Sequence, residues 1–200
     1  MALPMEKEVI VIDDGSTDGT GEKIRNYCSR IKLLKHEKNR GKGVAVRTGI
    51  NSAHGDFIVF CDADTEYDIC QISALFDRLS QSNAHVIYGS RFIDYQPKKN
   101  IIHYLGNRFL TGLTNLLFGA KLTDMETAYK MFRADVLKKL VLTSRRFEIE
   151  PEITAKILKL GIEITELPIS YDPRVKEQGK KVKYRDGLTA VRTLIRERII

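Results

Sequence analysis

The sequence lacks any apolar run of the roughly 18 residues that a membrane-spanning helix needs. Its first residues, MALPMEKE, also lack the basic and long apolar regions of a signal peptide. No internal repeat, low-complexity tract or linker interrupts the 200 residues, of which 42% are hydrophobic. These features predict a single cytoplasmic domain, residues 1–200, that is long enough to enclose one substantial core.

Cysteine is scarce, with residues at positions 28, 61 and 70. An odd number of cysteines without a close C-x-x-C pair argues against a disulfide framework and against a structural zinc site. We therefore expect reduced thiols that are mostly packed inside the protein.

Positive charge outweighs negative charge, with 33 Lys and Arg against 26 Asp and Glu and a net charge of +7. This balance favours polyanionic partners, which include nucleic acid, phosphorylated small molecules and an anionic membrane surface. Nucleic acid fits least well, because acidic clusters interrupt the basic residues. The basic residues concentrate in 35–47, 91–108 and 174–185, whereas the acidic clusters follow predicted strands. The pattern predicts a divided site in which carboxylates hold a cation, and Lys and Arg hold anions.

Apolar segments of strand length alternate with segments of helical spacing, which predicts an α/β fold with a largely parallel sheet. In such sheets the ligand crevice lies beyond the carboxyl ends of the strands. The predicted strands cover 9–12, 31–34, 57–61, 86–88 and 162–169. The predicted helices cover 20–30, 42–53, 70–82, 101–118, 134–140, 150–160 and 185–200.

Two acidic clusters come directly after predicted strands. Asp13 and Asp14 follow VIVI, while Asp62 and Asp64 belong to the segment DAD after FIVFC. In an extended chain the carboxylates of Asp62 and Asp64 point the same way and repel each other unless a cation lies between them. Mg²⁺ or Mn²⁺ suits such oxygen ligands and bridges to a diphosphate, and Glu66 is a candidate third ligand. A buried strand that runs into an ordinary turn or helix N-cap is the alternative explanation.

The segment NRGKGVAVRTG, residues 39–49, is basic and rich in glycine. Val46 replaces the Gly or Ala of a dinucleotide fingerprint and Gly43 replaces the Ser or Thr of a Walker A loop, so both are excluded. An EF-hand loop that starts at Asp14 is excluded by Arg25, where a glutamate is needed. The segment is either a helix start whose free N–H groups bind an anion, or a simple helix entry.

Seven segments, taken in order, resemble those of the family 2 glycosyltransferases, in the branch of dolichyl-phosphate mannosyltransferase and polyprenyl-phosphate glucosyltransferase. They are VIDDGSTDGT, NRGKG, FCDAD, GSRF, LTDMETAYKMFR, RFEIEPEI and YDPRVKEQGKK, and they cover nearly the whole chain. The resemblance implies a GT-A fold, a Mg²⁺ or Mn²⁺ ion, and inversion at the sugar carbon. It also implies GDP-mannose or UDP-glucose as donor, a polyprenyl phosphate as acceptor, and peripheral contact with the cytoplasmic face of a membrane. A homo-oligomer or a membrane subunit is a further expectation.

The resemblance, together with polar residues in or near these segments, leads to a set of expected site residues. The expected nucleotide-sugar ligands are Asp13, Asp14, Ser16, Lys42, Asp62, Arg174 and Lys181. The expected metal ligands are Asp62, Asp64 and Glu66, and the expected acceptor-phosphate ligands are Arg91 and Arg108. The expected catalytic residues are Asp64, Arg91 and Asp124.

The expected chemistry does not need a strong base, because a polyprenyl phosphate is already an anionic nucleophile. The site has to neutralise two anions, align them and stabilise the leaving diphosphate. Asp124 is then expected to orient groups or shape the electrostatic field instead of abstracting a proton. The alternative for Asp124 is a helix N-cap ahead of METAYKMF.

Two further features bear on the assignment. The segment 101–119 is rich in Leu, Phe and Ile, contains Arg108 and follows Lys98 and Lys99. It is either a membrane-interface helix or an ordinary amphipathic core helix. The family pattern opens with another strand and helix ahead of the VIDDGS segment, where this sequence has MALPMEKE. That strand is expected in the middle of the sheet, so its neighbours are expected to have unpaired edges. A family 2 transferase with a soluble acceptor, or an inactive nucleotide-sugar-binding or regulatory fragment, are the alternative functions.

Overall fold

The computed structural model describes residues 3, 5–63, 66–94, 101–172 and 184–200. Two sheets form the centre of this part of the chain. The first is a parallel pair of β1 (Ile10–Asp13) and β2 (Lys32–Lys35). The second has the strand order β3 (Phe57–Val59), β5 (Lys130–Arg133), β4 (Val86–Ser90) and β6 (Ile164–Pro168). No ladder between described strands joins the two sheets.

Helices connect and cover these strands. They are α1 (Thr20–Arg25), α2 (Lys42–Ser52), α3 (Ile72–Ser80), α4 (Ile101–Phe118), α5 (Ala134–Leu137), α6 (Ile149–Lys159) and α7 (Tyr184–Ile199). The first and fifth are shorter than predicted, because each continues as tighter turns in which an N–H bonds three residues back. Within the described residues, no helix is both long enough and apolar enough to cross a bilayer.

The predicted alternation of strands and helices is confirmed, and one strand escaped prediction. Strand β5 runs antiparallel to both of its neighbours, whereas β4 and β6 are parallel to each other. Its sequence, KMFR, begins with Lys130, which is completely buried. A buried lysine interrupts the apolar pattern by which a central strand is recognised in a sequence.

The second sheet is buried on both faces. All five residues of β4 are buried, and Tyr88 packs in one apolar cluster with Phe132, Ile149 and Ile153. Ile87 points to the opposite face and packs in another cluster with α3. Fully burying such a side chain stabilises a protein by about 1.5–3 kcal/mol, so this sheet is a rigid support.

The expectation about the thiols is half wrong. Cys28, Cys61 and Cys70 form no disulfide, but all three are exposed instead of packed. Each lies in a connection beyond the strands and α-helices, which explains why burial of neighbouring apolar residues does not extend to them.

The direction of β5 decides which segments meet. Asp13, residues 60–63 and Ser90 lie at the carboxyl ends of β1, β3 and β4. Because β5 is reversed, its amino end lies at that same edge of the second sheet, and the loop 119–129 that precedes it arrives there as well. The fold thereby gathers the acidic segments and GSRF beside the loop that carries Asp124.

Candidate active site

A buried ion pair joins the end of β4 to the loop 119–129. The Arg91 guanidinium donates from Nε to Asp124 Oδ2 and from a terminal nitrogen to Asp124 Oδ1, both at 2.7 Å. The backbone N–H of Arg91 adds a third bond to Oδ2 at 3.0 Å. Burial by itself would lower the pKa of Arg91, but the Asp124 carboxylate outweighs it and raises that pKa well above its ordinary value. Arg91 is a permanent cation, and Asp124 fixes its orientation.

Glu166 holds this loop in place from β6. Its Oε1 accepts the N–H of Asp124 at 2.9 Å, and its Oε2 accepts both the N–H and the hydroxyl of Thr123. The Thr123 hydroxyl lies 2.6 Å from the Ser90 hydroxyl, which ties the loop to β4 as well. Sequence reasoning missed Glu166, although a glutamate inside the strand sequence ITELP was the available signal.

Aromatic rings surround the Arg91 guanidinium. Its central carbon lies 5.1 Å from the centroid of Phe92 and 5.2 Å from that of Tyr171. Tyr67 stacks on Tyr129 with ring centroids 4.7 Å apart, and it contacts the Tyr171 ring at 5.3 Å. These rings lower the local dielectric constant, so a phosphate near the guanidinium is attracted more strongly than it is in water.

A second charged cluster connects α2, the end of β3, β5 and α6. The Lys42 ammonium lies 2.9 Å from both carboxylate oxygens of Asp62 and 3.0 Å from Glu150 Oε1. The other oxygen of Glu150 accepts a hydrogen bond from Lys130. Burial opposes the charge on Lys42, but the carboxylates of Glu150 and Asp62 outweigh it and raise the pKa of Lys42. Sequence reasoning found Lys42 and Asp62 but missed Glu150 and Lys130, whose partners lie far away in the sequence.

Asp14 organises the glycine-rich segment. Its Oδ1 accepts the N–H of Arg40 at 2.9 Å and lies 2.6 Å from His36 Nδ1, while Oδ2 accepts the N–H of Gly41 at 2.8 Å. Burial alone would raise the pKa of Asp14, but these hydrogen bonds lower it overall. Gly41 has φ 97°, and a Cβ there would lie 2.3 Å from the carbonyl oxygen of Arg145. This turn therefore requires glycine, and it delivers the next residue, Lys42, to Asp62.

Asp13 has a more enclosed position than Asp14. Its Oδ1 accepts the N–H of Ser16 at 2.8 Å, whereas its Oδ2 is buried and lies 4.0 Å from the ammonium of Lys35. Hydrogen bonds from Ser16 lower the pKa of Asp13. The structure thus gives Asp13 and Ser16 a role in the turn after β1, and their expected contact with a nucleotide stays a prediction.

The remaining expected site residues divide into two groups. Arg108, on α4, donates to the carbonyl oxygen of Thr123 at 3.1 Å, so it lies against the loop of Asp124. Glu66 Oε2 accepts the hydroxyl of Tyr171 at 3.0 Å, close to the aromatic rings around Arg91. Asp64, Arg174 and Lys181 lie outside the described residues, as do Lys98 and Lys99. Within the described part of the chain, no group of three His, Cys, Asp or Glu residues is arranged to hold a metal ion.

The two charged clusters belong to one site. Burial raises the pKa of Tyr67 to about 12, and the tyrosine interacts electrostatically with Arg91 and Asp124 as well as with Asp62. Its ring contacts Tyr171, which lies against Arg91, and stacks on Tyr129, whose hydroxyl lies 3.9 Å from the Sγ of Cys61, the neighbour of Asp62. Tyr67 therefore lies between the buried ion pair and the cluster around Lys42. The site therefore contains two cations, Arg91 and Lys42, each of which is held by carboxylates.

Comparisons with known proteins identify the family. The family model described as "Glycosyl transferase family 2" matches residues 3–141. Glycosyltransferase AglJ of Haloferax volcanii is 31% identical over 168 residues, covering 83% of this chain and 54% of that protein. Dolichyl-phosphate beta-glucosyltransferase of Dictyostelium discoideum is 30% identical over 190 residues, covering 84% of this chain and 56% of that protein. The chain thus spans about half the length of the curated relatives that it matches.

Solved structures show the same fold at low sequence identity. Glucosyl-3-phosphoglycerate synthase from Mycobacterium tuberculosis in complex with UDP has a TM-score of 0.69 and 19% identity, covering 96% of this chain and 69% of that one. The same protein in complex with Mn²⁺, UDP-glucose and phosphoglyceric acid has a TM-score of 0.66 and 18% identity, covering 96% and 68%. The expected GT-A fold is confirmed.

Proposed function

The chain belongs to glycosyl transferase family 2. We propose that it transfers a hexose from a nucleoside-diphosphate sugar to a polyprenyl phosphate. The observation that carries the proposal is the division of one site into two anion-binding positions. The buried Arg91, oriented by Asp124, supplies one position, and Lys42 supplies the other, with Asp62 as a ligand of the divalent cation. A transferase that moves a sugar from a diphosphate to an anionic acceptor needs both positions, with the sugar between them.

The reaction needs little from the protein beyond charge and alignment. An acceptor phosphate oxygen attacks the anomeric carbon of the sugar, and the bond from that carbon to the diphosphate oxygen breaks. The electron pair leaves with the diphosphate, and the configuration at the carbon inverts. The acceptor oxygen already lacks a proton, so a cation that stabilises charge at each end accounts for most of the catalysis.

The donor end would hold the diphosphate and a divalent cation. Asp62 and Glu66 provide hard oxygen donors, and Asp64 is the third expected ligand. The Asp62 carboxylate fits this role because its side chain is 38% exposed, and an ion bound there would displace Lys42 from it. When bound, the ion would neutralise the leaving diphosphate, and the Mn²⁺ in the complex of the structural relative supports this choice. Arg174 and Lys181 are proposed to close over the diphosphate, and Asp13, Asp14 and Ser16 to contact the nucleoside.

The acceptor end would hold the lipid phosphate at Arg91, with Arg108 as a second cation. Helix α4, which carries Arg108, presents the exposed apolar residues Ile102, Phe109 and Leu116 at intervals of seven residues. Their side chains are 85%, 63% and 81% exposed. Residues at this spacing lie on one helix face, so we propose that this face contacts a membrane surface and the lipid tail. The relative named dolichyl-phosphate beta-glucosyltransferase supports a lipid phosphate acceptor.

Turnover with defined substrates tests the proposal. The chain is incubated with Mn²⁺, with UDP-glucose or GDP-mannose, and with or without a polyprenyl phosphate in vesicles, and release of UDP or GDP is measured. We expect release and a lipid-linked hexose of inverted configuration when lipid phosphate is present, and loss of both after chelation of the metal. Absence of turnover with either donor from a folded chain would contradict the proposal. Transfer of the hexose to an added soluble sugar in the absence of lipid phosphate would indicate a soluble acceptor instead.

A further inference from the structure

The loop 119–129 carries a carboxylate that the proposed function does not use. Glu126 is half-buried, and its Oε1 is a fully buried atom with no hydrogen-bond partner in the part of the chain that the structure describes. Buried carboxylate oxygens are normally paired, because an unpaired one loses its hydration without replacement. A ligand that completes its hydrogen bonds would account for such an atom.

The backbone on either side of Glu126 is fixed. The N–H of Met125 donates to the Thr111 hydroxyl at 3.1 Å, and the Thr127 hydroxyl donates to the carbonyl oxygen of Gly89 at 2.5 Å. Met125 and Thr127 are both completely buried. The Glu126 carboxyl is therefore held by rigid neighbours, as a residue that recognises a substrate should be.

The position of Glu126 relative to the two anion-binding positions is informative. In the chain, Glu126 lies between Asp124, which pairs with Arg91, and Lys130, which pairs with Glu150. The same four residues act on it electrostatically. Glu150 contacts Lys42 at the proposed donor end, and Arg91 forms the proposed acceptor end. During transfer the hexose has to lie between the leaving diphosphate and the attacking phosphate. Glu126 thus belongs to the segment that connects the residues of the two ends.

The chemistry of a carboxyl group indicates which part of the substrates Glu126 can bind. A carboxylate repels phosphate, so Glu126 cannot add to either anion-binding position. Sugar hydroxyls are good donors to a carboxylate, and they also accept from a protonated carboxyl group. Burial raises the pKa of Glu126 to about 7, with a smaller opposing effect from Lys130, so both forms are present near neutral pH.

We propose that Glu126 is a specificity-determining residue that hydrogen-bonds hydroxyl groups of the transferred hexose. The inference rests on the proposed function, because it needs a nucleotide sugar in this cleft. In this proposal Glu126 contacts the sugar of the donor and does not contact the nucleotide, the metal or the lipid.

Calorimetric titration of nucleotide and nucleotide sugar separates these roles. With Mn²⁺ present, UDP, UDP-glucose, GDP and GDP-mannose are titrated into the unchanged chain and into Glu126→Gln and Glu126→Ala. The control is Glu163→Gln, which changes an exposed carboxylate. We expect the Kd of the preferred nucleotide sugar to rise about tenfold in Glu126→Ala and less in Glu126→Gln, because one or two buried hydrogen bonds are lost. The Kd of the matching nucleotide should stay the same in every variant.

Two outcomes would overturn the inference while leaving the proposed function intact. One is an unchanged Kd for the nucleotide sugar in both Glu126 variants, and the other is an equal loss for the nucleotide and its sugar. If the unchanged chain binds none of the four ligands, the proposed function and the inference both fall.

Donors that lack one hydroxyl identify the contact. A series of monodeoxy analogues of the preferred nucleotide sugar is titrated into the unchanged chain and into Glu126→Gln. For the hydroxyl that Glu126 binds, the effects of the analogue and of the variant should not add, because both remove the same hydrogen bond. A merely structural role for Glu126 would give additive effects for every analogue and would overturn the inference.

Discussion

The two ends of the site differ in how completely the protein satisfies its own charges. At the acceptor end, the side chains of Arg91 and Asp124 are 9% and 0% exposed and make two parallel hydrogen bonds. At the donor end, the side chains of Lys42 and Asp62 are 22% and 38% exposed. At the first end, Asp124 already holds the Arg91 cation in the orientation that would bind a phosphate. At the second end, the Asp62 carboxylate can exchange Lys42 for a metal ion. The difference suggests that one end is preorganised and that the other is completed by a metal ion and the donor.

The largest expected effect comes from breaking the buried pair. Asp124→Asn leaves the Arg91 guanidinium buried without a counter-charge, so the free energy of unfolding should fall by about 3–5 kcal/mol. Urea unfolding measures this change. The control is Asp135→Asn, which removes an exposed partner of Lys139 and should change stability by less than about 1 kcal/mol. A loss as small as that of the control would mean that the acceptor end is not preorganised.

The next effect concerns the carboxyl group between the two ends. Burial raises the pKa of Glu126 to about 7 from its ordinary value of 4.5, so the folded state binds more protons than the unfolded state between these values. Stability from this group is therefore complete below about pH 4.5 and is lost as the pH rises through about 7, by about 2–3 kcal/mol. Glu126→Gln should remove this loss, so the variant should be the more stable protein at pH 8. Equal pH profiles of unfolding for the two proteins would contradict the assigned burial.

A smaller loss of stability is expected at the donor end. Lys42→Met removes the ammonium from Asp62 and Glu150, but Glu150 keeps Lys130 and Asp62 reaches solvent. The free energy of unfolding should fall by about 1–3 kcal/mol, which is less than for Asp124→Asn. Urea unfolding of the two variants side by side checks the order. The reverse order would remove the contrast between the ends.

The same variant tests whether the donor end exchanges its partner. Lys42 occupies both oxygens of Asp62, so Lys42→Met should bind Mn²⁺ a few-fold more tightly than the unchanged chain in the absence of nucleotide. Electron paramagnetic resonance of free Mn²⁺ measures this binding. Weaker Mn²⁺ binding in the variant would show that Lys42 does not compete with the ion.

The smallest effect on stability is expected at the surface of α4. Phe109 is 63% exposed, so Phe109→Ser should leave the free energy of unfolding within about 0.5 kcal/mol of its original value. Sedimentation with vesicles that contain phosphatidylglycerol should nevertheless fall several-fold, because the ring no longer inserts into the lipid surface. Unchanged sedimentation would remove α4 from the proposed membrane contact.

The sequence was sufficient for features that arise from local patterns. Apolar runs located five of the six described strands, and DDGS, Asp62, GSRF and TD marked positions that the fold brings to one site. The features that it did not reveal depend on partners far apart in the chain. Glu166 binds Asp124 across 42 positions, and Lys130 is recognisable as a strand residue only once Glu150 compensates its charge. Glu126 was missed because nothing in METAYK distinguishes a carboxyl group that faces a cleft from one that faces water.

The most direct test of the central claim is a pair of binding measurements on Arg91→Lys, with Arg78→Lys on the exposed surface of α3 as the control. Lysine keeps the positive charge but cannot form the two-pronged contact that orients the guanidinium on Asp124. The account predicts that the Kd for a polyprenyl phosphate in vesicles rises about tenfold or more, while the Kd for UDP-glucose or GDP-mannose with Mn²⁺ stays unchanged. Equal losses for lipid phosphate and nucleotide sugar, or no loss for the lipid phosphate, would contradict the division of the site into an acceptor end and a donor end.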